Sequence, residues 1–370
     1  MHMGYEMIRG PFMLIETVAM LYKYINGISF QSVTNKQKFF MDSASFEVQT
    51  RKMKRLQEIM EEVCLELNPE DELLQWYFSR KGTEREYMCL ASLMVNSFCT
   101  LQKPDYQENV EEILTLWDNL QREGYWISSW GGFSFSNGKD CPGDLFEQVR
   151  RLNFPGDFLM KIYGTFRDFK TSFRTLTDYM APLAEKLAKI YRQEGWLFQV
   201  TEEYWQAAFE KLSPLQFVAN FAGEEFCRGA GARTVIAVSL MNTHQLLLEM
   251  EGHSPLHLGY NMLCIGGAIP YNSSSRSKGG DLETLSTILK AFSDKRRLEI
   301  LRRLSRGASY GLELADLMGM DSGNMSRTLA QLHSYGFLRE EKDRLRVYYR
   351  TDREVIHNFL ELVENSICDP

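Results

Sequence analysis

The stretch from Gly319 to Gly336 constrains this chain more than any other. Two glycines close its ends, and only Met320 separates the first from Asp321. An Asp there is a good N-cap, because its carboxylate accepts the free backbone N–H groups of a first helical turn. Gly336 suits the left-handed position just past a helix end. Between them Met325, Leu329 and Leu332 step by four and three and define one buried stripe. Gly323, Ser326, Arg327, Ala330 and Ser334 fall on the opposite side. A solvated helix face usually carries Glu and Lys. A face of small residues and one long cation suits close approach to another surface. Taken alone, the stretch fits an exposed helix of a bundle equally well, so its neighbours decide.

Upstream, Leu282–Phe292 reads as a helix with Leu285, Ile288, Leu289 and Phe292 inward. Asp294 caps a second, Lys295–Ser305, with Leu298, Leu301 and Leu304 as its apolar face and Ile300 flanking. Ser309 caps a third, with Leu312, Leu314, Ala315 and Leu317 apolar and Gly319 as its stop. Two short helices joined by a tight Gly-containing turn make a helix-turn-helix. After Gly336 the period becomes two. Residues 337–341 and 345–350 flank the turn Lys342-Asp343-Arg344, a hairpin with a cationic tip. A last helix, Asp352–Ser366, is expected to expose Val355, Ile356, Phe359, Leu362 and Val363.

Charge is local. The chain carries a net −7, yet residues 281–352 hold 13 Lys/Arg against 11 Asp/Glu. Any surface for a polyanion therefore belongs to the C-terminal part. The seven cysteines are odd in number and never spaced C-x-x-C, which argues against a disulfide framework or a zinc site and for a cytoplasmic chain. No apolar run approaches the ~20 residues of a membrane span. Nor is there an N-terminal charged and apolar leader, so no membrane partner is expected.

The N-terminal region reads as mostly helical, with helices near 11–26, 43–67, 70–80, 84–101 and 107–122. Residues 124–138 then become rich in Gly, Ser and aromatics, and Asn137-Gly138 is a turn signal. In this hairpin or ordered loop, Trp126, Trp130, Phe133 and Phe135 either plug the helical core or line a ligand or partner site. From Leu159 to Ile190 ten apolar residues step by three and four, a seam of two helices divided at Pro182. It faces either this chain or a second copy. Another helix follows at 201–212. Residues 233–239, 244–250 and 256–265 look like strands of a small antiparallel sheet. The Gly- and Ser-rich run 266–280 is a linker by composition. The expected fold is mainly α with minor β. Residues 1–265 form a large helical domain closed by a small sheet, and 281–370 form a winged helix-turn-helix domain.

Chemical motifs fail on context. Gly229-Ala230-Gly231 precedes a strand, whereas a dinucleotide fingerprint follows one and opens a helix. His253 and His257 are separated by Pro255, which breaks the shared helical face that a zinc pair would need. No Ser/His/Asp set, phosphate loop or H-E-x-x-H stands in the chain. No enzymatic activity, cofactor or metal is expected.

The C-terminal order of helices, helix-turn-helix, wing and helix resembles the ArsR-type winged-helix repressors. The resemblance rests on Leu289-x-x-Phe292-Ser293-Asp294-x-x-Arg297-Leu298-x-Ile300-Leu301-x-x-Leu304. It continues through Glu313-Leu314-Ala315, Met325-Ser326-x-x-Leu329-x-x-Leu332-x-x-x-Gly336-Phe337-Leu338 and Val347-Tyr348-Tyr349-Arg350. It implies a bacterial homodimer, paired through the first and last helices of the domain, on a two-fold double-stranded DNA operator. Repression would be relieved by an effector. The family's metal sensors carry a Cys-x-Cys pair on the helix before the turn. The matching Tyr310–Ala315 has no cysteine, and the last helix has one histidine, His357. Sensing of an unknown effector, a small molecule or peptide, is therefore expected in residues 1–265. Ser322, Gly323, Asn324, Ser326 and Arg327 are the expected DNA-facing set, with Arg327 reading guanine. Lys342, Arg344 and Arg346 are expected on phosphates or in a minor groove. The alternative is an interaction or dimerisation scaffold whose winged helix reads no DNA.

Overall fold

The structure is a computed structural model. It describes residues 5–30, 43–80, 89–123, 125–127, 135–136, 144–152, 154–222, 227, 233–243, 246–251, 256, 258–267, 282–343 and 346–368. The chain is mainly α with small sheets. Two compact units form it. One is Met1–Ser29 with Lys54–Ile269; the other is Phe30–Met53 with Pro270–Pro370. Phe30–Met53 thus groups with the C-terminal residues, although the sequence places it in the N-terminal span.

In the first unit, α1 (Met13–Ile25) is the central helix, and Leu14, Ile15, Glu16, Thr17, Val18, Met20 and Leu21 are all buried. A helix buried all round shows little amphipathic stripe. Ala19, Tyr22 and Ile25 lie on its less buried side. The next helices are α2 (Ser43–Val63), of which only the part from Lys54 belongs to this unit, α3 (Glu72–Phe78), α4 (Leu90–Asn96) and α5 (Tyr106–Glu123). They are followed by a short antiparallel pair, β2 (Tyr125–Ile127) and β3 (Phe135–Ser136). Asn137-Gly138, the turn signal of the sequence, lies outside the described residues.

Helices α6 (Leu145–Arg150), α7 (Gly156–Arg167) and α8 (Phe169–Gln193) come next. The seam is broken at Asp168, which sits at φ −127° and ψ 58°, rather than at Pro182. Pro182 lies inside α8. Its missing N–H costs one ladder bond, and the helix continues because the seam on either side is packed. Phe166, Phe169, Phe173, Leu176, Met180 and Leu187 are buried within this chain. Trp117 stacks on Phe169 at 4.3 Å, and Phe169 on Phe173 at 5.3 Å. The seam is therefore intramolecular, with three consecutive phenylalanines filling a bundle core. Helices α9 (Trp196–Phe209) and α10 (Pro214–Ala222) complete the helical part.

The sheet combines β1 (Tyr5–Met7), β4 (Thr234–Ser239), β5 (Leu246–Glu249) and β6 (Asn261–Gly266) in the order β1-β4-β6-β5. It is not antiparallel throughout. β1 runs parallel to β4, β4 parallel to β6, and only β5 is antiparallel to its neighbour. All six positions of β4 and of β6 are buried, the unbroken pattern of strands covered on both faces. β6 takes up Gly266, the first residue assigned by composition to the linker. Residues 268–281, most of that linker, lie outside the described residues.

One polar joint ties α1 to this sheet. The Glu16 side chain is fully buried. Its Oε1 accepts the Leu240 N–H at 2.8 Å, and its Oε2 accepts the Met241 N–H at 2.9 Å and the Tyr191 hydroxyl at 2.8 Å. Burial raises its pKa above 4.5, against the pull of these donors.

The second unit holds α11 (Leu282–Phe292), α12 (Lys295–Leu304), β7 (Ser309–Tyr310), α13 (Gly311–Met318), α14 (Ser322–Ser334), β8 (Leu338–Asp343), β9 (Arg346–Thr351) and α15 (Arg353–Cys368). The three strands form one sheet in the order β7-β9-β8. This is a winged helix-turn-helix. Leu285, Ile288, Ile300, Leu301, Leu304, Leu314, Met325, Leu329, Leu332, Phe337, Val355 and Phe359 make its core. Three expectations reverse here, the first at Leu289, expected inward but 39% exposed. Ile300 is buried while Leu298 is exposed, because the helix turns its Ile300/Leu301/Leu304 side inward. Val355 and Phe359 are core residues rather than exposed ones, and Phe359 stacks on Phe292 at 5.4 Å.

Candidate nucleic-acid interface

The geometry of α14 begins with its caps. Gly319 ends α13 in the left-handed region at φ 59°, which a side-chain-bearing residue enters only at a cost. Asp321 then caps α14, its Oδ1 accepting the N–H groups of Gly323 at 2.9 Å and Asn324 at 3.0 Å. Past the far end, Gly336 is also left-handed, at φ 78°. The inward face is Met325, Leu329 and Leu332, all buried in the domain core. Gly311 on α13 faces α14, and a Cβ added there would make only ordinary contact with Leu329 Cδ1, at 3.5 Å.

The opposite face is bare. Ser322, Gly323, Asn324, Ser326, Arg327 and Ala330 are exposed. Five of the residues named from sequence as DNA-facing thus come together on one side of one helix. Gly323 has a local role as well, since a Cβ there would stand 3.2 Å from Asp321 Oδ1. The Arg327 side chain lies back along the helix. Its Nη2 donates to Asn324 Oδ1 at 3.0 Å, and its Nε donates to the Gly323 carbonyl at 3.4 Å. Asn324 Nδ2 in turn donates to Asp321 Oδ2.

The wing differs from the expectation in register. Asp343 pairs with Arg346, so β8 takes up Lys342 and Asp343, which the sequence places in the turn. Arg346 opens β9, and Arg344 lies outside the described residues. The base of the wing is fixed firmly. Arg339 Nε and Nη2 donate to the two oxygens of Asp352 at 2.6 and 3.1 Å, and Asp352 is 3% exposed. The Thr351 hydroxyl donates to the Leu301 carbonyl at 2.7 Å. The third helix of the motif is not capped by Ser309. That residue lies in β7, Tyr310 is the N-cap, and the Ser309 hydroxyl donates to Glu313 at 2.6 Å.

A cationic set on α12 escaped the sequence reading. Lys295, Arg296, Arg302 and Arg303 are exposed, as is Arg306 just past the helix. Arg303 pairs with Glu299 at 3.6 Å. The sequence carries the set as Lys295-Arg296-Arg297 and Arg302-Arg303, interleaved with the apolar spacing of the same helix. Of the aromatic loop, Trp126 lies in β2 and Phe135 in β3, while Trp130 and Phe133 lie outside the described residues. Asn324 and Arg327 are thus joined by a hydrogen bond that sequence reasoning treated as two separate readers.

Among the described residues no group of His, Cys, Asp and Glu could hold a metal ion. No described helix is long and apolar enough to cross a membrane. No protein-family model and no curated protein matches the chain. One solved structure similar to part of it is the homodimeric winged helix-turn-helix DNA-binding domain, fragment 1–100, of a possible ArsR-family transcriptional regulator from Mycobacterium bovis. That solution structure shares 27% sequence identity, covers 24% of this chain and 84% of its own, and has a TM-score of 0.20.

Proposed function

We propose that this chain is a DNA-binding transcriptional regulator, a repressor of the ArsR-like type, whose α14 reads duplex DNA in the major groove. The observation that carries this reading is the bare face of α14. Small and polar residues with one long cation stand clear of the core, between two left-handed glycines and next to a hairpin. Arg327 is the base reader, because a guanidinium pairs bidentately with guanine O6 and N7. The wing cations Lys342, Arg344 and Arg346 set register on the backbone, and the exposed cations of α12 add to the field that draws the polyanion in.

The active form is a homodimer. Leu289 on α11 is 39% exposed and Leu360 on α15 is 52% exposed. They neighbour the Phe292–Phe359 stack, which holds those two helices together. A second copy covering this apolar pair would place two α14 helices on one operator. The first unit supplies the response to an effector, and the chain has no catalytic role.

The test is selection from a randomised duplex library by the full chain. Sequence-selective binding is expected. It should weaken on the order of 10³-fold between 50 and 200 mM salt if several phosphates are neutralised. No binding at low salt would favour the scaffold reading.

A further inference from the structure

The bonds around Arg327 say more than which residue reads a base. We propose that Asn324 is a positioning residue for Arg327 and not a base reader itself. This rests on the reading of α14 as the DNA-facing helix.

The amide of Asn324 is held at both ends by neighbours that fix its orientation. Arg327 has only donors to offer, so the atom facing its Nη2 must be the carbonyl oxygen. The Asp321 carboxylate oxygens are acceptors, so the atom facing its Oδ2 must be the amino group. An asparagine that read adenine would present its carbonyl and one N–H together to N7 and N6. Here the carbonyl is turned to residue 327 and the amino group to residue 321, along the helix rather than out from it.

The same bonds leave Arg327 prepared for one contact. A guanidinium has five N–H donors. Nε and one N–H of Nη2 form its side edge, and these meet the Gly323 carbonyl and Asn324 Oδ1. The remaining three donors belong to Nη1 and the outer N–H of Nη2. They include the end-on pair that matches guanine O6 and N7. Asp321 therefore has two tasks: one oxygen starts α14, and the other anchors the relay that holds its reader. A long side chain otherwise loses rotamer freedom when it binds, and ordering it beforehand removes part of that cost.

The experiment takes a duplex selected by the wild-type full chain and measures its affinity with each single base-pair substitution. The chains compared are wild type, Asn324→Ala, Arg327→Ala and the double variant. Arg327→Ala is expected to lose about 5- to 150-fold of discrimination at one G·C pair. Asn324→Ala should lose about 2- to 12-fold at that same pair and at no other. The double variant should discriminate no worse than Arg327→Ala. If Asn324→Ala erases selectivity at a different pair, with losses that add, Asn324 is a reader and the proposal is overturned while the DNA-binding reading stands. Unchanged selectivity in Asn324→Ala overturns it too. If the wild-type chain selects no sequence at all, the DNA-binding reading fails and takes the proposal with it.

Discussion

The first unit and the winged helix treat polar groups in opposite ways. The first unit buries them: Glu16, Thr17, Asn96, Asn109, Thr177, Thr201, Asn242, Thr243 and Asn261 are all inside. Among the described residues of the winged helix only Thr351 and Asp352 are buried polar groups, and both sit at the base of the wing. Its other polar side chains cap helices or face outward. A buried polar group is tolerated only when it is hydrogen-bonded, and its partners are then hard to replace. Thr17, Thr177 and Thr201 answer their buried hydroxyls within their own helices, while Glu16 is paired with groups 175 to 225 residues away; the winged helix is specified by an apolar core that leaves one helix face free. A surface proposed to approach duplex DNA closely needs that freedom.

Variants can break this comparison, and the largest effect is expected at Glu16. Glu16→Ala leaves the N–H groups of Leu240 and Met241 and the Tyr191 hydroxyl buried without their acceptor. The expected loss is about 3 kcal/mol or more. All six tryptophans lie in the first unit, so tryptophan fluorescence follows its unfolding. The fluorescence midpoint in urea should fall sharply while DNA binding survives wherever the second unit stays folded. An unchanged midpoint would show that the joint carries no stability.

Asp352→Ala is the counterpart in the winged helix. It removes both bonds to Arg339 and the acceptor for the Val355 N–H. Arg339 is partly exposed, so solvent screens the pair, and the loss is expected near 1.5–3 kcal/mol. It should appear in far-ultraviolet circular dichroism and leave the tryptophan transition in place. A shift of the tryptophan midpoint would mean that the units do not unfold separately.

The same contrast explains how much was legible beforehand. The winged helix could be read because its signals are local: Asp294 and Asp321 as caps, Gly319 and Gly336 as stops, and Met325/Leu329/Leu332 as a stripe. Where it misled, two faces were both apolar. Leu298 and Ile300 compete for the inside of α12, and only packing against β9, where the Thr351 hydroxyl meets the Leu301 carbonyl, decides. The wing turn slipped because charge marked Lys342 and Asp343 as a turn while the ladder carried them into β8. The first unit hid more. Glu16 lies 224 residues from Leu240 in the chain, and no local pattern joins an acid in an apolar helix to the end of a strand. The parallel pairing of β4 and β6 was invisible for a like reason, since strand direction is set by the intervening path. At the interface the exposed residues of α14 were legible as a face. Their relay through Asn324 was not, because spacing gives proximity and not the direction of an amide.

The central claim is that paired α14 helices read DNA from the free face of the winged helix, and footprinting the wild-type chain on a selected duplex tests it most directly. Two protected stretches about 34 Å apart, one turn of the duplex, are predicted, with both lost in Arg327→Ala at moderate salt. Protection spread evenly along the duplex, or unaltered by Arg327→Ala, would contradict the account.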